Sequence, residues 1–247
     1  MKDNFSVQSS LYATFRPTYP RELYDFLLLL TNTKQMAWDC GTGNGQVARV
    51  LSNYFDKVYA TDISEQQIKQ AYKSDNIFYS LSPAEKTSFA NNSFDLITVA
   101  QAIHWFNFDA FYSEVKRTIK PGGILVVIGY GLFTMNADTD KLISYFYEHI
   151  INEYWDVERK YIDEHYTTIP FPFPEIKSPE VFIQFEWTLE HLTGYLNTWS
   201  AVQHYIKANS TNPVNIIYPE LQKLFTVNKK QPGYFPVLLR TGVVEKP

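Results

Sequence analysis

Met36 to Gln46, MAWDCGTGNGQ, constrains the fold of this 247-residue chain more than any other stretch. Met36, Ala37 and Trp38 make the apolar lead-in of a short buried strand, which ends in Asp39 just before glycines at every second position, Gly41, Gly43 and Gly45. Glycine lets the backbone turn with positive φ, and it lets a ligand approach the main chain where a Cβ would collide. Gln46, Val47, Ala48, Val50 and Leu51 then supply helical spacing. The unsatisfied N–H groups of that helix start would face whatever the loop holds. Strand, glycine loop and helix in this order predict a nucleotide-type site.

The loop alone does not say which nucleotide, because the same letters occur in nicotinamide-binding loops and in ordinary turns. Its neighbours narrow the choice. A second strand, Lys57 to Thr61, ends in Asp62, whose carboxylate would accept two hydrogen bonds from a vicinal diol while donating none. Ser64 and Gln67 make a capping-box pattern for a helix reaching about Lys73. Further strands are expected at Ile77 to Ser80, Phe94 to Val99 and Ile124 to Ile128, with a helix over Asp109 to Ile119 and a Lys120-Pro121-Gly122-Gly123 turn after it. The fifth strand is continuously apolar, as in a sheet covered on both faces. Strands alternating with helices favour a doubly wound parallel sheet.

From Leu132 the pattern changes. Leu142 to Tyr154 reads as an aromatic helix, and Trp155 to Pro174 is rich in Tyr, Phe and Pro. A strand (Val181 to Trp187), two helices (Glu190 to Trp199, Asn215 to Phe225) and a last strand (Phe235 to Val244) follow. Before the first strand, Tyr12 to Pro20 carries Pro17 and Pro20, which keep it an extended arm leading into a helix from Arg21 to about Leu30.

Composition excludes several classes of function. A net charge of −4 supplies no broad basic field, so a nucleic-acid backbone is not an expected partner. Cys40 is the only cysteine, which rules out internal disulfides and thiolate metal clusters. The apolar run Phe26 to Leu30 is far below the roughly 20 residues that span a bilayer. The opening MKDNFSVQSS lacks an apolar signal core, so no membrane association and a cytoplasmic location are expected. Oligomeric state is not readable from these letters. Aromatic residues are 17% of the chain, and those after Phe106 are candidates for an organic acceptor's pocket as well as for core.

The D-x-G-x-G-x-G loop with Asp62 after the second strand resembles the S-adenosylmethionine (SAM) site of class I methyltransferases. Asn92-Ser93-Phe94-Asp95-Leu96 resembles a recurrent segment of the same superfamily, type 11, and Lys120-Pro121-Gly122-Gly123 resembles its turn before the fifth strand. Ala100-Gln101-Ala102-Ile103-His104-Trp105-Phe106, with Arg16-Pro17 in the arm and Thr198-Trp199-Ser200, is similar to the trans-aconitate methyltransferase-like subgroup. The resemblance implies a Rossmann-like, doubly wound seven-stranded α/β sheet, mostly parallel with the last strand antiparallel, carrying an α-helical, aromatic cap insertion. It divides the chain into an arm and helix (1–35), a SAM-binding core (36–131), a cap (132–174) and a completion of the sheet (175–247).

The resemblance implies cofactor contacts from Tyr12, Arg16, Asp39, Gly41, Thr42, Gly43, Gly45, Asp62, Ile63, Ala84, Glu85, Ala100 and Gln101. It implies acceptor contacts from Arg16, His104, Trp105 and Tyr130, with His104 as an orienting group or base. Pro83 stands where many relatives have an aspartate that binds the adenine amino group, which shifts that contact to the Ala84 backbone. Methyl transfer needs alignment more than acid catalysis or a metal, and an already ionised carboxylate acceptor needs no base. The implied reaction is SAM-dependent methylation of a small-molecule acceptor, a carboxylic acid metabolite by the subgroup. Two readings from other classes stay open: a nicotinamide-dependent oxidoreductase, against which the G-x-G-x-G spacing counts, and a SAM-binding protein without transferase activity.

Overall fold

The computed structural model describes residues 14–226 and 229–246. Tyr12 lies outside the described residues. The strands are β1 (Met36–Cys40), β2 (Lys57–Asp62), β3 (Ile77–Leu81), β4 (Phe94–Ala100), β5 (Ile119–Tyr130), β6 (Glu175–Ile176), β7 (Phe182–Trp187) and β8 (Gln231–Val244). The helices are α1 (Arg21–Leu30), α2 (Gln46–Leu51), α3 (Glu65–Gln70), α4 (Phe108–Thr118), α5 (Ala137–Tyr145), α6 (Lys160–Asp163), α7 (Leu189–Asn197), α8 (Ser200–Asn209) and α9 (Val214–Leu224). The sheet runs β3-β2-β1-β4-β5-β8-β6, with β7 also on β8. The first five strands are parallel and β8 is antiparallel to β5. The expected α/β sheet is present, with the two-residue β6 added at its edge.

Alternation along the strands splits the core into two layers. Ala37, Val58, Leu96 and Val126 pack with Leu23 and Leu27 of α1 and Val47 of α2 on one face. Trp38, Ile97, Leu125 and Val127 pack with Phe111 and Val115 of α4 on the other. A third, aromatic cluster lies beyond the carboxyl end of β5 and joins Phe133 and Phe146 to Trp187, Tyr195, Trp199 and Phe235. The segment after Leu132 therefore shares its core with the last third of the chain. β8 makes this possible: Gln231–Pro236 pairs with β7, and Val237–Val244 pairs with β5.

Three local expectations shift. Pairing of β5 begins at Ile119 and passes through Lys120–Gly123 as an irregularity, Phe94 facing Ile119 and Leu96 facing Ile124, so the expected turn is a bulge with Gly122 at φ +74°. The aromatic helix starts earlier, at Ala137, because the Asn136 side chain accepts the Thr139 amide, and it ends in a wide turn at Phe146–Ile150. The capping box at Ser64 is half formed. Ser64 Oγ accepts the Gln67 amide at 3.3 Å, but the Ser64 amide goes to Asp62 Oδ1 at 2.9 Å.

Candidate functional site

The carboxyl ends of β1, β2 and β4 converge beneath the glycine loop, where open parallel sheets hold their ligands. Asp39, 1% exposed, lies under that loop and ties it down. Its Oδ2 accepts the Thr42 hydroxyl and the Ala48 amide (3.1 Å), and its Oδ1 accepts the Thr98 hydroxyl at 2.9 Å. Burial raises its pKa to about 6, against the lowering effect of those three donors. The strand-end acid is thus a strut for the loop as well as part of the cleft floor.

Asp62 faces the loop from β2. Its Oδ2 accepts the Gly43 amide at 2.8 Å and its Oδ1 the Ser64 amide, so the carboxylate is aimed before any ligand arrives. Gly43 has φ +54°, and a Cβ there would find nothing nearer than Gln67 Oε1 at 4.0 Å. The space beside it is open to the cleft, as expected where a ligand passes close to the main chain.

The cleft holds about 1010 Å³ of space, part of it open to solvent, which is at the upper end for small-molecule sites. Gly41, Thr42 and Gly43 line it from the loop, Asp62 and Ile63 from the end of β2, and Ala84 from the loop after β3. Ala100, Gln101, Trp105 and Tyr130 close it from β4 and β5, with Asp39 beneath and Arg16 above. Gln101 adopts φ +54°, its amide donates to Ile128 O and its Nε2 to Tyr130 O (2.9 Å), which locks the turn after β4.

Two expected cofactor residues stand outside this lining. Gly45 starts α2 at φ +82° with Tyr79 against the place of its missing Cβ. Glu85 accepts the Asn107 amide at 3.0 Å, bracing the start of α4. Sequence reasoning missed Tyr19, Gln67, Ser82 and Phe106, which also line the cleft. Gln67 carried a signal, its capping-box position beside Asp62, whereas Tyr19 and Phe106 are aromatic letters whose direction only packing sets.

A second chamber of about 490 Å³, part of it open to solvent, adjoins the first, and Arg16, Gln101 and Trp105 line both. Its remaining walls come from His104 and from the segments after β5: Trp155, Asp156, Arg159, Ile162, Trp199 and Ser200. Arg16 is held across the junction. Its Nη1 donates to the Tyr130 hydroxyl (3.4 Å), its Nη2 to Thr198 O (3.3 Å), and its guanidinium lies over the Tyr195 ring. His104 is buried, with Nδ1 3.2 Å from the Tyr166 hydroxyl. Burial first, and the Arg159 cation second, drop its pKa to about 3. A neutral imidazole of such low basicity orients a neighbour and accepts protons poorly.

Tyr166 reaches His104 from a turn in which His165 and Tyr166 both have positive φ, 54° and 60°. Arg240 of β8 pins that turn, its Nη1 donating to Tyr166 O (3.1 Å) and Ile169 O (2.5 Å). The strain of two side chains in the left-handed region is thereby held by a strand of the sheet.

Residues 38–127 match the family described as a methyltransferase domain. A Dictyostelium discoideum protein named as a methyltransferase is 37% identical over 225 residues, which is 90% of this chain and 84% of that one. A solved structure described as a type II methyltransferase of Anaeromyxobacter dehalogenans superposes with a TM-score of 0.87 at 33% identity, covering 94% of this chain and 100% of that chain. Haemonchus contortus phosphoethanolamine N-methyltransferase 2, solved with phosphomonomethylethanolamine and S-adenosylhomocysteine, shares the fold at a TM-score of 0.51 and 17% identity, covering 98% of this chain and 58% of that one.

Proposed function

Because this chain belongs to the class I SAM-dependent methyltransferases, we propose that it transfers a methyl group from SAM to a small carboxylic acid. Family membership decides between methyl transfer and nicotinamide chemistry, which the glycine loop left open. The observation that carries the acceptor is the adjoining chamber, whose lining among the described residues has two arginines, Arg16 and Arg159, and one carboxylate, Asp156, beside a neutral His104.

The first chamber fits the cofactor. The open space beside Gly43 admits a ligand against the main chain, and Asp62 offers its remaining lone pairs to a ribose diol. Ile63, Ser82 and the Ala84 backbone would border the adenine, and the Gly41–Gly43 loop, Ala100 and Gln101 the methionine end. When bound, SAM supplies a methyl group that passes to an acceptor oxygen as its bond to sulfur breaks and S-adenosylhomocysteine leaves.

The residues do the rest by alignment. Gln101 and Trp105, on the wall common to both chambers, would set the line between donor and acceptor, and orientation of this kind contributes about 7–11 kcal/mol. A carboxylate is ionised at neutral pH, so no residue needs to remove a proton. His104 and Trp105 would fix the acceptor's angle while Tyr130 steadies Arg16.

The experiment is turnover of SAM on a panel of mono- and dicarboxylic acids, with methyl esters identified by mass spectrometry. Ester formation supports the reading; methylation confined to amines or phenols would sink it. Arg16→Lys assigns the arm. A weaker SAM affinity gives Arg16 to the cofactor, whereas a raised acceptor KM at unchanged SAM affinity gives it to the acceptor.

A further inference from the structure

Tyr166 reaches His104 through a gap that the sheet leaves for it. The Tyr166 ring occupies the place of a side chain on Gly129 of β5: a Cβ there would lie 2.5 Å from Cε2 and 2.8 Å from both Cζ and the hydroxyl oxygen. Tyr166 is fully buried, and its backbone stands at φ +60°, a region that residues with a side chain rarely adopt. Arg240 spends Nη1 on the Tyr166 and Ile169 carbonyls of this turn, and Nε and Nη2 on the two oxygens of Glu175. Residues of β5, of the turn after α6 and of β8 thus combine to fix one phenol hydroxyl 3.2 Å from His104 Nδ1.

The chemistry of that contact assigns the proton in it. Between a phenol and an imidazole, the hydroxyl is the better donor and the ring nitrogen the better acceptor, so O–H to N is the favoured direction. The buried imidazole is neutral and carries one N–H. With Nδ1 accepting, that N–H is on Nε2, because the hydrogen bond at one ring nitrogen sets the state of the other. Nε2 has no hydrogen-bond partner among the described residues and is not sealed from solvent, and His104 lines the second chamber. Arg159 reaches the ring by its charge alone, with no hydrogen bond to it, so the contact with Tyr166 decides the tautomer.

We propose that Tyr166 is a positioning residue of the acceptor site: by donating to His104 Nδ1 it holds the imidazole as its Nε2–H tautomer, which offers the second chamber a fixed donor and no basic lone pair. Gly129 supplies the space for the Tyr166 ring, and Arg240 the hold on its turn. His104 is then an orienting group that takes a hydrogen-bond accepting atom of the bound molecule, and the role of base is closed to it. That the acceptor lies in this chamber rests on the reading given above; the tautomer does not.

The test is a two-bond proton–nitrogen NMR spectrum of the protein with nitrogen-15-labelled histidine at neutral pH, the His104 signals being identified by their loss in His104→Gln. Wild type should show Nδ1 unprotonated and Nε2 protonated. Tyr166→Phe keeps the ring and removes only the hydroxyl; it should shift Nδ1 toward the position of an unbonded ring nitrogen, or draw the two nitrogen signals together as the tautomers mix. A protonated Nδ1 in wild type, or a Tyr166→Phe spectrum like that of wild type, overturns the inference. Arg240→Gln should reproduce part of the change, and a lower Tm with the His104 signals unmoved overturns the part given to Arg240. Kinetics tests the use of the donor. With the acid esterified fastest in the panel above, Tyr166→Phe should lower kcat/KM for the acid about two- to tenfold at unchanged SAM affinity, the loss expected of one neutral hydrogen bond. An unchanged kcat/KM, or an equal fall in SAM affinity, overturns the positioning role. Should the panel yield no ester, the acid reading falls while the spectrum still decides the tautomer.

Discussion

The ring of Phe15 fills the space that a side chain on Gly194 would need: a Cβ there would lie 2.5 Å from both Cε1 and Cζ of Phe15. Phe15 O also lies 3.3 Å from His191 Nε2 one turn earlier in α7. The arm is therefore docked on the far end of the chain, and Arg16 is delivered to the junction of the two chambers from that dock. Gly194→Ala should push Phe15 off the helix. Helix propensity gains about 1 kcal/mol, so the fold survives. Affinity for S-adenosylhomocysteine or for the acceptor should nevertheless fall, and calorimetry showing both unchanged would detach Arg16 from the dock.

Asp62 holds the Gly43 and Ser64 amides at the rim of the cleft, and the proposed cofactor site has it bind the ribose. Asp62→Ala should weaken SAM binding by about 1.5–3 kcal/mol for each charge-assisted bond lost. Asp62→Asn, which keeps the shape, should lose less. An alanine variant that binds SAM like wild type would remove Asp62 from the ribose.

Gly43→Val tests the loop. The nearest atom to the new Cβ is 4.0 Å away, so the ligand-free protein has room for it, and the added strain at φ +54° is of order 1–2 kcal/mol. The variant should fold with a modest drop in Tm and bind no SAM. Binding retained in the folded variant would make the loop purely structural.

Asp39 and His104 pull stability in opposite directions with pH. Burial lifts Asp39 from 3.8 to about 6, so its contribution is complete below about 4 and is lost as pH rises through 6. His104 drops from 6.5 to about 3, so its contribution is present above 6.5 and is lost as pH falls toward 3. Between about pH 4 and 6 the two slopes, each near 1.4 kcal/mol per unit, offset one another. Relative to wild type, Asp39→Asn should gain stability with rising pH in that window and His104→Gln should lose it. Denaturant titrations giving pH-independent differences would place both groups in contact with water.

The glycine-loop end of the cleft was legible because its geometry is local. Glycines that turn a loop, a carboxylate at a strand end and a cap at Ser64 act within a few residues of themselves, and each was found where its spacing placed it. The second chamber was legible in part: motifs named Arg16, His104 and Trp105, which line it, whereas the walls it takes from the segment after β5 were read only as composition. α8 went unseen behind the Thr198-Trp199-Ser200 motif, and Arg159 stood in a stretch read only as aromatic-rich.

Residue order alone determined a parallel sheet with a glycine loop at the carboxyl end of its first strand, since strand alternation and positive-φ glycines need no distant partner. Tertiary structure decided the rest: that Phe15 meets Gly194, that Arg240 holds Tyr166 against His104, and that Arg159 comes round to the second chamber. Those pairs lie far apart along the chain. Their contact depends on β8 spanning two sheet partners and on the aromatic core it gathers, and no periodicity within either segment encodes which ring or charge will arrive from the other.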